Sequence, residues 1–139
     1  MRRFDVVSFD FDGTLIFPNF TDHFWNETIP RLYADTYRLR LKEAKARVLR
    51  EYEIIGKDDL RWYLPSYWFD RFGLNVSVVD ALQGIKNLVK IYPEVPTVLE
   101  RLGADHTLIA TSRASREFID LWSELLGNRF SYTFSSTSD

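Results

Sequence analysis

The 139-residue sequence contains no cysteine, which excludes disulfides, thiol catalysis and Cys-ligated zinc or iron–sulfur sites. Its two histidines, His23 and His106, are too few for a multi-His metal cage, and neither belongs to a constellation. Net charge is scarce too: 18 Lys and Arg against 20 Asp and Glu leave a formal -2. That balance gives no overall pull toward nucleic acid or an anionic membrane. No stretch approaches the roughly 18 apolar residues of a membrane span. The basic start, Met1-Arg2-Arg3, runs straight into Phe4 and Asp5, with no apolar segment of signal-peptide length. A cytoplasmic setting is therefore expected, and the Asn-x-Ser/Thr triplets at Asn19, Asn26 and Asn75 are read as chance. What the chain has in quantity is aromatic side chains, 16% of the total, within an ordinary globular balance of 45% hydrophobic and 27% charged residues. The length suits one compact domain, or one domain carrying a small inserted lid.

The periodicity predicts an α/β pattern at the two ends of the chain. Phe4 to Phe9, rich in Val and Phe, reads as a buried strand, and Thr107 to Thr111 as a second. Val95, Val98, Leu99 and Leu102 form a helical stripe, with Pro93 and Pro96 at its start and Gly103 just past its end. A further helix presents Phe118, Leu121, Trp122 and Leu125 on one face and closes at Gly127, before a short strand near Phe130 to Phe134. Strands alternating with helices point to a parallel sheet. The stretch from Ile16 to Tyr92 holds no convincing strand. Ala44, Val48, Tyr52 and Ile55 recur at helical spacing within a charged segment that reads as a solvated helix face. Val78, Leu82, Ile85 and Val89 suggest another helix, and Pro65 interrupts the aromatic block Trp62 to Phe72, which reads mainly as local core.

The informative motif is Asp10-Phe11-Asp12-Gly13-Thr14-Leu15, directly after the first strand. Two carboxylates one residue apart would share a face at the carboxyl edge of the sheet, where open α/β folds bind ligands. Gly13 permits a tight turn and a close backbone approach. An Asp pair at a strand end can equally serve as a turn or helix cap.

With the strand before it, Val6-Val7-Ser8-Phe9-Asp10-Phe11-Asp12-Gly13-Thr14-Leu15 resembles the first motif of the haloacid dehalogenase-like (HAD) superfamily. The resemblance implies that Asp10 is the nucleophile that takes a phosphoryl group as an aspartyl phosphate. It implies that Asp12 is the general acid/base, and that Asp10 and Asp12 together supply the protein part of a Mg2+ site. Such chemistry is sound, because a carboxylate attacks phosphorus competently once a metal ion neutralises both partners. Leu108-Ile109-Ala110-Thr111-Ser112 resembles the second motif, implying that Thr111 holds a phosphate oxygen, helped by backbone N–H groups around Ser112 and Arg113. The placement of Thr111 just before a predicted helix agrees, since helix N-termini favour anions. Tyr92 to Leu99 resembles the segment returning from the cap, although Glu94 stands where the family pattern usually has Gly.

The fold so implied is a HAD-like Rossmannoid α/β sheet, incomplete at three strands, formed by residues 1–15 and 93–139. An all-helical C1 cap, residues 16–92, is inserted after the first strand. Two further elements of the family pattern are absent: all five lysines, at 42, 45, 57, 86 and 90, precede Thr111, and no acidic motif ends a later strand. The first strand would be left with a bare edge, which favours association. The expectation is an N-terminal portion of a longer HAD phosphatase, an Mg-dependent phosphate monoester hydrolase acting on a small phosphorylated metabolite through an aspartyl phosphate, incomplete and weakly active or inactive as the 139-residue chain. No nucleic acid or membrane partner is expected. The alternatives are a catalytically incomplete binding module, completed by self-association or a second chain, and a phosphomutase of the same fold. Dehalogenase chemistry is disfavoured because family dehalogenases lack the second Asp that stands here as Asp12.

Overall fold

The computed structural model describes residues 4–139; the basic start at 1–3 lies outside the described residues. The chain divides into two compact units, Met1–Pro18 with Val89–Asp139, and Asn19–Leu88. In chain order the elements are β1 (Val6–Phe9), α1 (Asn19–His23), α2 (Ile29–Tyr37), α3 (Leu41–Ile55), α4 (Pro65–Phe72) and α5 (Val78–Gln83). They continue with α6 (Val95–Asp105), β2 (Thr107–Ser112), α7 (Arg116–Leu125) and β3 (Tyr132–Ser135). Among the described residues no helix is long and apolar enough to cross a membrane.

The first unit is an α/β layer. Its sheet runs β1-β2-β3, all parallel, with Val6 opposite Thr107, Phe9 opposite Ala110 and Ser112 opposite Ser135. Because α6 precedes β2 and α7 precedes β3 in a sheet that advances in one direction, right-handed crossovers put both helices on one face. The burial pattern agrees. Leu108, Ala110, Ser112 and Ser135 are buried, while on the opposite pleat Val6, Ser8, Thr107, Thr111, Tyr132 and Phe134 are exposed. A parallel sheet ordinarily has both faces covered; here one is bare and β1 lies at the edge. On the covered face Trp122 sits between Phe11 and Phe118, with ring centroids 5.5 and 5.3 Å away. Leu99, Ile119 and Leu126 complete the core.

Three local expectations change. Gly103 does not end its helix: α6 runs through it to Asp105. A Cβ at Gly103 would meet the Leu108 side chain at 3.4 Å, ordinary van der Waals contact, and Gly103 is not among the glycines of positive φ, so nothing there stops the helix. Leu125, expected on the buried face of α7, is 40% exposed, and Ile119 and Leu126 are buried in its place. Strand β3 begins at Tyr132, leaving Phe130 in the preceding loop, where it packs edge-on against Phe11 at 5.5 Å.

The second unit is wholly helical. Between α1 and α2 the chain widens into one π-turn, Phe24–Thr28. The Tyr52 hydroxyl from α3 donates to the Trp25 carbonyl in that turn at 2.9 Å. Burial pushes the Tyr52 phenol far above its ordinary range, so it stays a donor. Phe20, Phe24, Ile29, Ala44, Val48, Trp68, Phe69 and Phe72 form the core. Much of the aromatic block is thus packing. Pro65 starts α4 instead of interrupting it, with the residue before it extended (Leu64 φ -103°, ψ 104°). The helix expected from Val78 to Val89 stops at Gln83, and Lys86–Leu88 tightens into a 3₁₀ turn. The charged run along α3 is solvated, with Ala44 and Val48 turned inward. Exposed ion pairs join Lys45 to Glu27 and Arg71 to Glu51, each at 2.6 Å. The hydrogen bonds from the Arg61 side chain hold the Asp59 carboxyl down at about 2.

Candidate active site

The site is assembled from the carboxyl ends of β1 and β2. Beyond Phe9 the pleat continues, so that Phe11 is fully buried while Asp10 is exposed and Asp12 half-buried. The buried ring anchors the motif. The Phe11 carbonyl accepts the N–H groups of Thr14, Leu15 and Ile16 at 3.1, 2.8 and 3.0 Å, and Gly13 N–H returns to the Ile16 carbonyl at 2.8 Å. Closing so small a loop needs φ +78° at Gly13. A Cβ there would meet nothing within 4 Å, so the requirement is conformational and not one of space. Asp12 bridges Ile16 across the turn.

The Asp10 carboxylate is oriented by its own chain: Oδ1 accepts the Phe11 N–H at 2.8 Å. The parallel register, continued by one residue past Phe9 and Ala110, sets Thr111 opposite Asp10 on the same side of the sheet. Thr111 is exposed. Its Oγ1 lies 3.5 Å from the Ser8 Oγ. Ser112 points to the other face, is buried, and its Oγ accepts the Ala114 N–H at 3.0 Å. Its hydroxyl therefore holds the loop, and its carbonyl accepts the Ser136 N–H at 2.9 Å. The anion-binding argument for the following helix changes as well. Helix α7 begins at Arg116, beyond a loop of three residues, and the Arg116 N–H donates to Ser138 Oγ at 3.0 Å.

That loop is stapled to the turn after β3, which sequence reasoning missed. Ser135 Oγ donates to the Ala114 carbonyl at 2.7 Å, and Thr137 Oγ1 to the Arg113 carbonyl at 2.8 Å. Arg116 reaches the Thr133 hydroxyl and carbonyl at 2.6 and 3.0 Å and pairs with Asp139. The Asp139 carboxylate also accepts the Ser135 N–H at 2.8 Å. That backbone bond first, and Arg116 second, hold Asp139 below its ordinary value of 3.8. A lowered carboxyl stabilises the fold fully above its unfolded value and ceases to do so as pH falls through its folded value. The staple is accordingly expected to loosen only below pH 3.8. Protection of the Ser135 amide from exchange, relative to its intrinsic rate at each pH, should fall in that window, and Asp139→Asn should remove that pH dependence; protection lost near neutral pH would contradict the assignment.

Among the described residues no group of three or more His, Cys, Asp or Glu side chains is gathered to hold a metal. The Asp10 carboxylate and the Asp12 carbonyl would offer hard oxygen donors of the kind that suit magnesium, an ion that usually keeps several waters. A separate, largely apolar hollow of about 250 Å³ is lined by Ile91, Pro96, Leu125, Leu126, Gly127 and Arg129, and by none of the four predicted site residues.

A parallel sheet with a carboxylate and a hydroxyl at adjacent strand ends, and a helical excursion after its first strand, make up an open α/β fold. No protein-family model matches the chain. Its backbone is similar to that of a HAD phosphatase from Thermococcus onnurineus, with a TM-score of 0.76 over 96% of this chain and 63% of that one, at 21% identity. The chain therefore has the HAD-like fold, that of the superfamily its first motif resembles. Two curated proteins, the GMP/IMP nucleotidase YrfG of Escherichia coli K12 and that of Shigella flexneri, are each 26% identical over 86 residues. The aligned segment covers 62% of this chain but only 38% of each relative.

Proposed function

We propose that the chain carries the nucleophilic part of a HAD-type phosphate monoester hydrolase. The observation that supports this best is the pinned Asp10 carboxylate beside the Thr111 hydroxyl at the strand ends. Asp10 Oδ2, the oxygen not engaged by Phe11, attacks phosphorus, and the bond from phosphorus to the ester oxygen breaks. Asp12 gives its proton to that leaving oxygen. Asp12 then takes a proton from water, which attacks the aspartyl phosphate, releases inorganic phosphate and restores Asp10. Thr111 donates to a phosphoryl oxygen throughout. Magnesium, held by the Asp10 carboxylate and the Asp12 backbone carbonyl, would supply neutralisation of the phosphoryl charge. Purine nucleoside monophosphates are the substrates to try first, given the activity named for the two curated relatives.

Phosphate release from nucleoside monophosphates and an aryl phosphate, with magnesium and with excess chelator, tests the proposal. Weak turnover that disappears with chelator is expected. A folded, monodisperse chain that hydrolyses no monoester in millimolar magnesium would overturn it. The second reading is a binding module that associates through its sheet, as a self-pair or with another chain. It draws on the exposed Phe4, Val6, Tyr132 and Phe134, and that same inactive result would favour it.

A further inference from the structure

Strand β1 consists of Val6, Val7, Ser8 and Phe9, and Ser8 is its one polar member. It lies on the exposed pleat beside Val6 and, across the ladder, Ile109. Ser8 lies two residues before Asp10, on the same side of the sheet. In the register Ser8 faces Ile109, so Thr111 is its diagonal neighbour, and the two hydroxyl oxygens are 3.5 Å apart, at the outer edge of hydrogen-bond distance.

We infer that Ser8 is a positioning residue that fixes which way the Thr111 hydroxyl donates. The inference rests on the phosphatase reading above. A phosphoryl group presents acceptor oxygens only, so Thr111 must spend its single proton on the ligand. Its oxygen lone pairs are then left to receive a donor, and Ser8 is the hydroxyl within reach. With Ser8 donating to Thr111 and Thr111 to phosphate, the bonds run in one direction and end on an anion, an arrangement in which each bond strengthens the next. Without Ser8 the Thr111 hydroxyl is free to rotate among its staggered positions.

The test is titration of inorganic phosphate, with magnesium present, into the full chain and its variants, each checked by circular dichroism. Wild type is expected to bind, and Thr111→Val to weaken binding. Ser8→Ala should weaken it about three- to tenfold, the scale of one hydrogen bond. Ser8→Thr should restore it, and Ser8→Ala should add nothing to Thr111→Val in the double variant. If Thr111→Val weakens binding while Ser8→Ala does not, or if the two effects add, the inference fails and the phosphatase reading stands. If wild type binds no phosphate, or Thr111→Val leaves affinity unchanged, the reading itself fails and Ser8 with it.

Discussion

Trp122→Ala is expected to destabilise the sheet unit by about 3–5 kcal/mol, the usual range for truncating a fully buried large aromatic. Trp122 has no exposed surface and touches two other core rings, Phe11 and Phe118. The loss has two parts, the transfer of the indole out of water and a cavity that rigid neighbours fill poorly. Set against roughly 5–15 kcal/mol for a typical domain, that is a large fraction. The effect also reaches the motif, because Phe11 is the buried anchor between Asp10 and Asp12. Denaturant unfolding followed by circular dichroism measures it, with Leu125→Ala as a contrast on the same helix, where 40% exposure predicts a small change. Equal shifts for the two variants would contradict the assignment of Trp122 to the core.

Asp10→Asn is expected to lower phosphate-ester turnover by at least about a thousandfold, as loss of a covalent nucleophile commonly does. The substitution keeps shape and keeps an oxygen able to accept the Phe11 N–H. The turn should therefore close as before and the melting temperature stay nearly unchanged. What disappears is the anionic oxygen that attacks phosphorus. Initial rates on an aryl phosphate, with thermal unfolding of the same samples, separate chemistry from folding. Activity above ~1% of wild type in a folded Asp10→Asn sample would remove Asp10 from the nucleophile's role.

The parts of the molecule legible in the sequence were those written in short range. Val and Phe before Asp10, and Leu-Ile-Ala before Thr111, announce parallel strands because both depend on apolar runs of strand length. Gly13 marks its turn because only a residue that accepts φ +78° closes it cheaply. Where a residue admits two readings the pattern misleads. Gly103 looks like a helix stop, yet α6 runs through it, with no left-handed φ there to end the helix. Pro65 looks like a break, yet its fixed φ opens α4. The staple through Ser135, Thr137 and Asp139 could not be read at all. Its partners are 21 to 24 residues away in sequence, and nothing in a Ser/Thr-rich segment tells which carbonyl a hydroxyl will meet. Ser8 had a faint signal, a hydroxyl inside an apolar strand, whose meaning needed the register to β2.

The way in and the way out of the helical excursion meet in the sheet unit. Ile16 bridges Ile91 antiparallel, Phe17 N–H donates to the Lys90 carbonyl at 2.8 Å, and Tyr92 N–H to the Leu15 carbonyl at 3.2 Å. Those bonds make a socket: the segment Asn19–Leu88 is tied at its two ends like the loop of a hairpin. Closing such a loop grows dearer only slowly, by about 0.6 kcal/mol for each doubling of its length. Inserts of quite different size and composition can therefore be plugged in between Pro18 and Val89 with little penalty to the strands. The strand-end motif and the insert are thus separable, and one can change over generations while the other is kept.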